Sequence, residues 1–379
     1  MNLLSKNLIK YAMVSSLTLL TACTTMTEST PSHSLDKEHF LVGTYTTESS
    51  EGVYKITLDP ATKSLSNEGV IGKTINPSYV TLSKNQSMMF AATESDSGGI
   101  TSFTWDNETQ KFNVLQTIKN LGKGTCHITL NPQETQLAIA NYSSGDVFLF
   151  DLNKNTQQLS QIGHFKNQGK GPHNRQEAPH MHYVQWDNTG EFLYAVDLGT
   201  DEVNVFNTSK NELTPSTVTK LPSGSGPRHL AFHPKQPWVY VVNELTNTIT
   251  VFNQNINTGA LTQRQHVAMT KENDNGNISS AIKVSNDGKF IYAAVRGINK
   301  IAVLSISDNG NVTPIQLQSV LGDWPRDMTL SANQQYLLIA NQYSNTITAL
   351  KRNVETGLLT STEMKLDISI PSYIGVFQK

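Results

Sequence analysis

One pattern recurs along most of this chain, and it restricts the fold more than any other feature. An apolar run, a polar turn and a second apolar run appear as YVTLSKNQSMMFAATE from Tyr79 and HITLNPQETQLAIANY from His127. The unit returns as YVQWDNTGEFLYAVDL from Tyr183, HLAFHPKQPWVYVVNE from His229, AIKVSNDGKFIYAAVR from Ala281 and DMTLSANQQYLLIANQ from Asp327. A last fragment, YIGVF, opens at Tyr373. Successive starts lie 48, 56, 46, 52, 46 and 46 residues apart. Third runs such as DVFLF, EVNVF, TITVF, KIAVL and TITAL follow, and a more degenerate fourth lies in each connection. β-Branched and aromatic residues fill the runs, and turn clusters such as Asn286-Asp287-Gly288 separate them, which is strand chemistry. Four short strands every ~40–50 residues mark the blades of a β-propeller.

Six full units lie between Tyr79 and Tyr373, so a seventh must be composite. FLVGTY from Phe40 matches a second strand, VYKITL from Val53 a third, and the C-terminal YIGVF supplies the missing first. Joining both ends in one blade closes the ring and removes two sheet edges. The expected fold is all-β: a seven-bladed β-propeller over residues 40–379, its ring closed by a composite blade from both termini.

The N-terminus reads differently. Residues 1–22 carry Lys6 and Lys10, no acid, and an apolar run from Tyr11 to Leu20. That run is shorter than the ~20 residues a spanning helix needs and has the layout of a signal peptide. Leu20-Thr21-Ala22-Cys23 resembles the lipobox of bacterial lipoproteins, which implies cleavage after residue 22 and lipidation of Cys23. Residues 23–39 then form the lipidated cysteine and a polar, flexible tether. Several acyl chains on one residue anchor a protein stably. Thr24 stands where an aspartate would resemble an inner-membrane retention signal, so the periplasmic face of the outer membrane is favoured. The lipid anchor is the expected membrane contact, with no spanning segment.

Lysine plus arginine is 29 against 31 acids, a net charge of -2, which leaves no electrostatic footprint for nucleic acid. With Cys23 lipidated, Cys126 has no disulfide partner and reads as a small buried hydrophobe. No Gly-rich phosphate loop, nucleotide fingerprint or calcium loop is present, so no cofactor is expected.

First and second strands of a blade run antiparallel, so first-strand starts and second-strand ends open on the same face. Tyr45, Glu94, Tyr142, Leu198, Glu244, Arg296 and Gln342 stand at the second-strand ends, and Ser78, Cys126, His182, Arg228, Ser280, Arg326 and Ser372 at the first-strand starts. One mouth thus gathers His, Glu and Arg. His180 and His182 flank Met181 and point to one side if extended. Glu244 or a mouth histidine is a candidate base, and Arg228, Arg296 and Arg326 are candidate carboxylate or phosphate ligands. Arg326 and Glu94 are placed to pair across the mouth. Arg175, in the long connection before His180, is placed to reach over it. The His180–His182 pair has no clustered third ligand, so no metal site is expected. Trp105, Trp186, Trp238 and Trp324 read as blade packing.

FLVGTYT at Phe40, ANYSSG at Ala140, GPHNRQEAPHMH at Gly171, YAVDLGTDEV at Tyr194, GSGPRHLAFHP at Gly224, YVVNE at Tyr240 and NDGKFIYAAVRG at Asn286 carry a further signal. Together they resemble the seven-bladed propeller lactonase family, which includes bacterial 6-phosphogluconolactonases and fungal carboxymuconate cyclases. The resemblance implies catalytic roles for His180 or His182, Arg228, Glu244 and Arg296, with Arg175, Arg326, His229 and Glu94 as substrate-binding candidates. One departure stands out: the Ser-Asn common before the last arginine is Ala294-Val295 here, which removes two polar groups beside Arg296.

The function this implies is hydrolysis of a small sugar lactone, a step of carbohydrate metabolism. The lactone is phosphorylated, as for a 6-phosphogluconolactonase, or, given the export signal, an unphosphorylated aldonolactone. Two alternatives stay open: a non-catalytic envelope propeller binding a protein or anionic glycan, and a muconate-type cyclase or isomerase.

Overall fold

Apolar side chains on both faces of a strand can be buried only when the sheet is covered on both sides. The repeats have this composition: in FLVGT, from Phe40, every residue is buried. A computed structural model describes residues 36–210, 213–270 and 276–379 of the chain. The signal segment 1–22, Cys23 and the tether up to residue 35 lie outside the described residues. Asp36–Lys379 forms one compact unit whose first strand is Glu38–Thr44.

Among the described residues the strands form seven four-stranded antiparallel sheets. The inner strands Pro77–Leu82, Thr125–Leu130, Met181–Trp186, Pro227–Phe232, Ile278–Val284 and Pro325–Leu330 open blades one to six, and Pro371–Phe377 opens blade seven. They touch one another in that order around a closed ring. Blade seven is the expected composite. Pro371–Phe377 pairs with Glu38–Thr44, which pairs with Gly52–Asp59, and Ser64–Lys73 is outermost.

Among the described residues, seven apolar clusters hold the ring together, one between each pair of neighbouring blades. Period-two alternation shares each strand between two of them. Phe40 and Val42 pack toward blade six with Leu338 and Ile347, while Leu41 packs toward blade one with Val80 and Phe103. Ile374 and Phe377, from the far end of the chain, complete these same two clusters. The last strand is therefore part of the core.

Ile374 is 1% exposed, so Ile374→Ala should lower stability by about 2–5 kcal/mol. Ile256→Ala, at a side chain 60% exposed, should stay within about 0.5 kcal/mol. Urea unfolding midpoints compare the two; equal shifts would show that the composite blade does not close the fold.

Candidate active site

A one-residue irregularity recurs where the inner strands begin. Pro77 pairs with Thr93 and Tyr79 with Ala92, so Ser78 between them has no partner. The same skip falls on Cys126, His182, Arg228, Arg326 and Ser372. A bulge leaves the extra residue unpaired and re-aims its side chain. Here the six extra residues converge around one small cavity at the axis. Its space for water centres is about 10 Å³, close to the minimum for one water. Below it Tyr79, His127, Tyr183 and His229 fill the channel, with successive ring centroids 4.0, 3.9 and 4.5 Å apart. The mouth is thus a blind pocket. A separate funnel of about 410 Å³, lined by Tyr79, Tyr183, Tyr373 and Lys283, opens on the opposite side of this plug. A hollow of about 540 Å³ lies between the outer parts of blades six and seven, lined by Lys63, Tyr336, Lys351 and Met364, and none of the converging arginines reaches it.

Glu244 directly follows the second strand of blade four, Trp238–Asn243, and is 1% exposed. Its backbone N–H donates to Gly226 O at 2.7 Å, and its carbonyl accepts from Ser279 N at 3.1 Å, fixing it between blades four and five. Three guanidiniums converge on its carboxylate. Arg296 Nη2 lies 2.8 Å from Oε2. Arg228 Nε lies 2.9 Å from the same oxygen as an ion pair, its N–H not aimed at it. Arg175 Nη1 donates to Oε1. Burial alone would raise the Glu244 carboxyl, but Arg296, Arg228 and Arg175 outweigh it and hold it down at about 2. Burial and the neighbouring Arg296 push Arg228 below its ordinary range. The Ala294-Val295 departure does not leave Arg296 loose. Its Nε and Nη2 donate to the carbonyls of Ile278 (3.3 Å) and Ser279 (2.8 Å), and Trp324 covers its plane at 5.2 Å.

Across the mouth Arg326 lies 3.6 Å from Glu94 and over the Tyr45 ring at 5.2 Å, and the Tyr45 hydroxyl donates to Glu94 at 2.7 Å. Four arginines thus face two carboxylates, leaving two positive charges in the inner mouth.

The two expected histidines part company. His180 stacks on Tyr142 at 4.4 Å, with Nδ1 2.9 Å from the Tyr142 carbonyl and Nε2 3.2 Å from Glu177 at the rim. His182 turns into the axial cavity with its buried Nδ1 unpartnered. Burial, then Arg228 and Arg326, hold His182 well below the usual histidine range. It is therefore neutral at physiological pH and keeps a lone pair. His229 lies behind Arg228, accepting from Nη1 at 3.0 Å, and so supports that arginine from below. Burial, with Glu94 second, pushes the Cys126 thiol up to about 12, which leaves no thiolate for chemistry.

Several contributors were not among the residues singled out from the sequence. Asp201 accepts from Gly224 N and Gly226 N at 2.7 Å and from the Gln176 amide at 2.8 Å. One carboxylate thus shapes both the turn before Arg228 and the loop that delivers Arg175. Asp197 accepts from His180 N and Asn167 at 2.8 Å. Gly226 has φ 59° and a Cβ there would strike Leu245, so the Gly-Pro-Arg turn needs glycine. The DLGTD run within YAVDLGTDEV was the available signal for both aspartates. Trp324 also departs from expectation. The other three tryptophans join the inter-blade clusters, whereas Trp324 stacks on Tyr343 at the mouth, 4.7 Å apart. No group of three or more His, Cys, Asp or Glu among the described residues is placed to hold a metal.

The profile of a family described as "Lactonase, 7-bladed beta-propeller" matches residues 39–376. A 6-phosphogluconolactonase of Bacillus subtilis is 33% identical over 333 residues, 87% of this chain and 95% of the relative. The solved structure of a Lactobacillus plantarum protein superposes with a TM-score of 0.85 at 30% identity, covering 90% of this chain and all of the other. The periplasmic gluconolactonase of Pseudomonas aeruginosa superposes with a TM-score of 0.84 at 26% identity, covering 90% and 99%.

Glu244 sits below its unfolded value of about 4.3. The unfolded chain therefore takes up the proton first, and the carboxylate's stabilisation is complete above about pH 5 and lost as pH falls toward 2. Glu244→Gln strands three arginines and should cost about 3–5 kcal/mol at pH 7. The gap to wild type should narrow from pH 5 downward in denaturant titrations; a gap independent of pH would contradict this charge balance.

Proposed function

The chain belongs to the seven-bladed β-propeller lactonase family, and from that membership we propose that it hydrolyses the ring ester of an aldonolactone at this mouth. The observation that carries the reading is the convergence of four arginines on two carboxylates beside a neutral histidine whose Nδ1 has no hydrogen-bond partner. Lactone opening creates negative charge twice, on the tetrahedral intermediate and on the product carboxylate, and an inner mouth with two surplus positive charges suits both.

In this reading water attacks the lactone carbonyl while His182 Nδ1 takes its proton, a contribution of about 10²–10⁴-fold. Arg228 and Arg326, which line the same cavity as His182, stabilise the oxyanion by about 3 kcal/mol. The bond to the ring oxygen then breaks, and that oxygen receives the proton to give a ring-opened hydroxy acid. Glu244 stays ionised and acts as a positioning residue: a carboxyl held at about 2 is a poor base at neutral pH. Arg175, 37% exposed, meets the polar groups of the incoming sugar.

Below the His182 transition the imidazole is protonated and cannot accept a proton. The acid limb of kcat/KM should therefore lie below the ordinary histidine value of about 6.5. His182→Gln should lower kcat by about 10²–10⁴-fold and remove that limb. A panel of aldonolactones, with and without phosphate and with product analysis, supplies the assay. Ring-opened acid marks hydrolysis, and an isomeric product marks a cyclase. Full activity in His182→Gln would reject the assigned base. No turnover of any lactone, with a stable co-purifying partner, would favour a binding propeller.

In this reading the substrate lies outside the cytosol and carries no phosphate. Residues 1–22 and the lipobox-like Leu20-Thr21-Ala22-Cys23 support export and anchoring, and one structural relative is a periplasmic enzyme by name. In this reading residues 23–35 tether the propeller to the periplasmic face of the outer membrane; Glu38 and His39, expected in the tether, instead pair within the first strand of the composite blade. In the native host, Cys23→Ser should abolish palmitate labelling and move the protein from the detergent to the aqueous phase. A mature chain that retains Met1 would contradict the assignment.

A further inference from the structure

Beside the arginines, blade six presents an aromatic surface that the hydrolysis described above does not use. Trp324 lies between Arg296, 5.2 Å from its ring, and Tyr343, stacked 4.7 Å away at 14°. Tyr343 is 60% exposed. It forms one wall of a groove of about 450 Å³ that runs to blade seven, lined also by Tyr45, Gln342, Asn345 and Ile370. That volume falls within the ~300–1,000 Å³ of ordinary small-molecule sites. The groove is continuous with the mouth, because its Tyr45 wall lies under Arg326 and donates to Glu94. Gln342 contributes a side-chain Oε1 shielded from water and without a hydrogen-bond partner, a state that is costly unless a donor arrives.

A ligand matching this groove has a flat apolar face for the tyrosine ring and hydroxyls at its edge for the glutamine amide. A pyranose combines the two. We propose that the groove is a saccharide subsite and that the lactone turned over at the arginines is the reducing-end aldonolactone of a disaccharide or longer chain. The glycosidically linked ring rests on Tyr343, and its hydroxyls reach Gln342. This rests on the lactonase reading for the identity of the reacting end; the groove and its stacking surface stand apart from it.

The test compares lactobionolactone with gluconolactone as substrates and lactobionate with gluconate as ligands, using the full propeller. Wild type should favour the disaccharide form in both kcat/KM and affinity, and lactobionate should perturb tryptophan fluorescence. Tyr343→Ala should reduce the disaccharide-to-monosaccharide ratio about tenfold, the scale of one aromatic contact. Tyr343→Phe should retain it, since the ring and not the hydroxyl is the platform. Equal affinities for lactobionate and gluconate, with a ratio unmoved by Tyr343→Ala, would overturn the subsite. If neither lactone is hydrolysed, the lactonase reading fails. Tighter binding of lactobionate that is lost in Tyr343→Ala would then still establish the subsite.

Discussion

A carboxylate and two guanidiniums taken out of water together form the constraint on which the mouth depends. Glu244, Arg228 and Arg296 are each at most 5% exposed. Any one of them buried alone would be strongly unfavourable. Their mutual neutralisation, with Arg175 arriving from the loop, makes the cluster tolerable. It also makes Glu244 a weak base, because a carboxylate shared among three arginines is too acidic to collect protons. In the proposed mechanism base chemistry therefore falls to His182, and Glu244 aims the cations.

Within this cluster only Arg228 stands on a bulge, while Glu244 and Arg296 stand at second-strand ends; the repeated bulge brings Arg228, His182 and Arg326 to one axis. Each bulge contributes one side chain to the axis without disturbing the apolar clusters between blades. Chemistry is thus written into positions that the packing does not need. The seven-fold ring supplies the convergence, and its closure by Pro371–Phe377 keeps the bulged residues in register. The aromatic plug below them makes the pocket one-sided, so the mouth and the opposite funnel are chemically separate.

Much of this was readable from the chain. The repeat spacing and the split unit at Phe40 and Tyr373 lead directly to a composite blade, because period-two patterns survive without tertiary information. Six members of the expected ring, Ser78, Cys126, His182, Arg228, Arg326 and Ser372, were legible, since equivalent repeat positions occupy equivalent places; the seventh, Ser280, instead donates to the Pro325 carbonyl at 2.6 Å and does not line the cavity. What stayed hidden depends on cross-strand register or distant contacts. The bulges need the partner strand. The difference between His180 and His182 depends on Tyr142, which holds His180, and on the bulge at His182. Asp197 and Asp201 look like turn aspartates until Gln176, Gly224 and Gly226 fold onto them. Trp324 resembles the other tryptophans until Tyr343 is seen to stack on it.

The central claim is that one mouth, built on Glu244 and its arginines, binds and opens the lactone. A crystal structure with gluconate bound tests it most directly. The account predicts the carboxylate within hydrogen-bond reach of Arg228 or Arg326, close to His182. Gluconate bound instead at the opposite funnel, beside Lys283 and Tyr373, would contradict it.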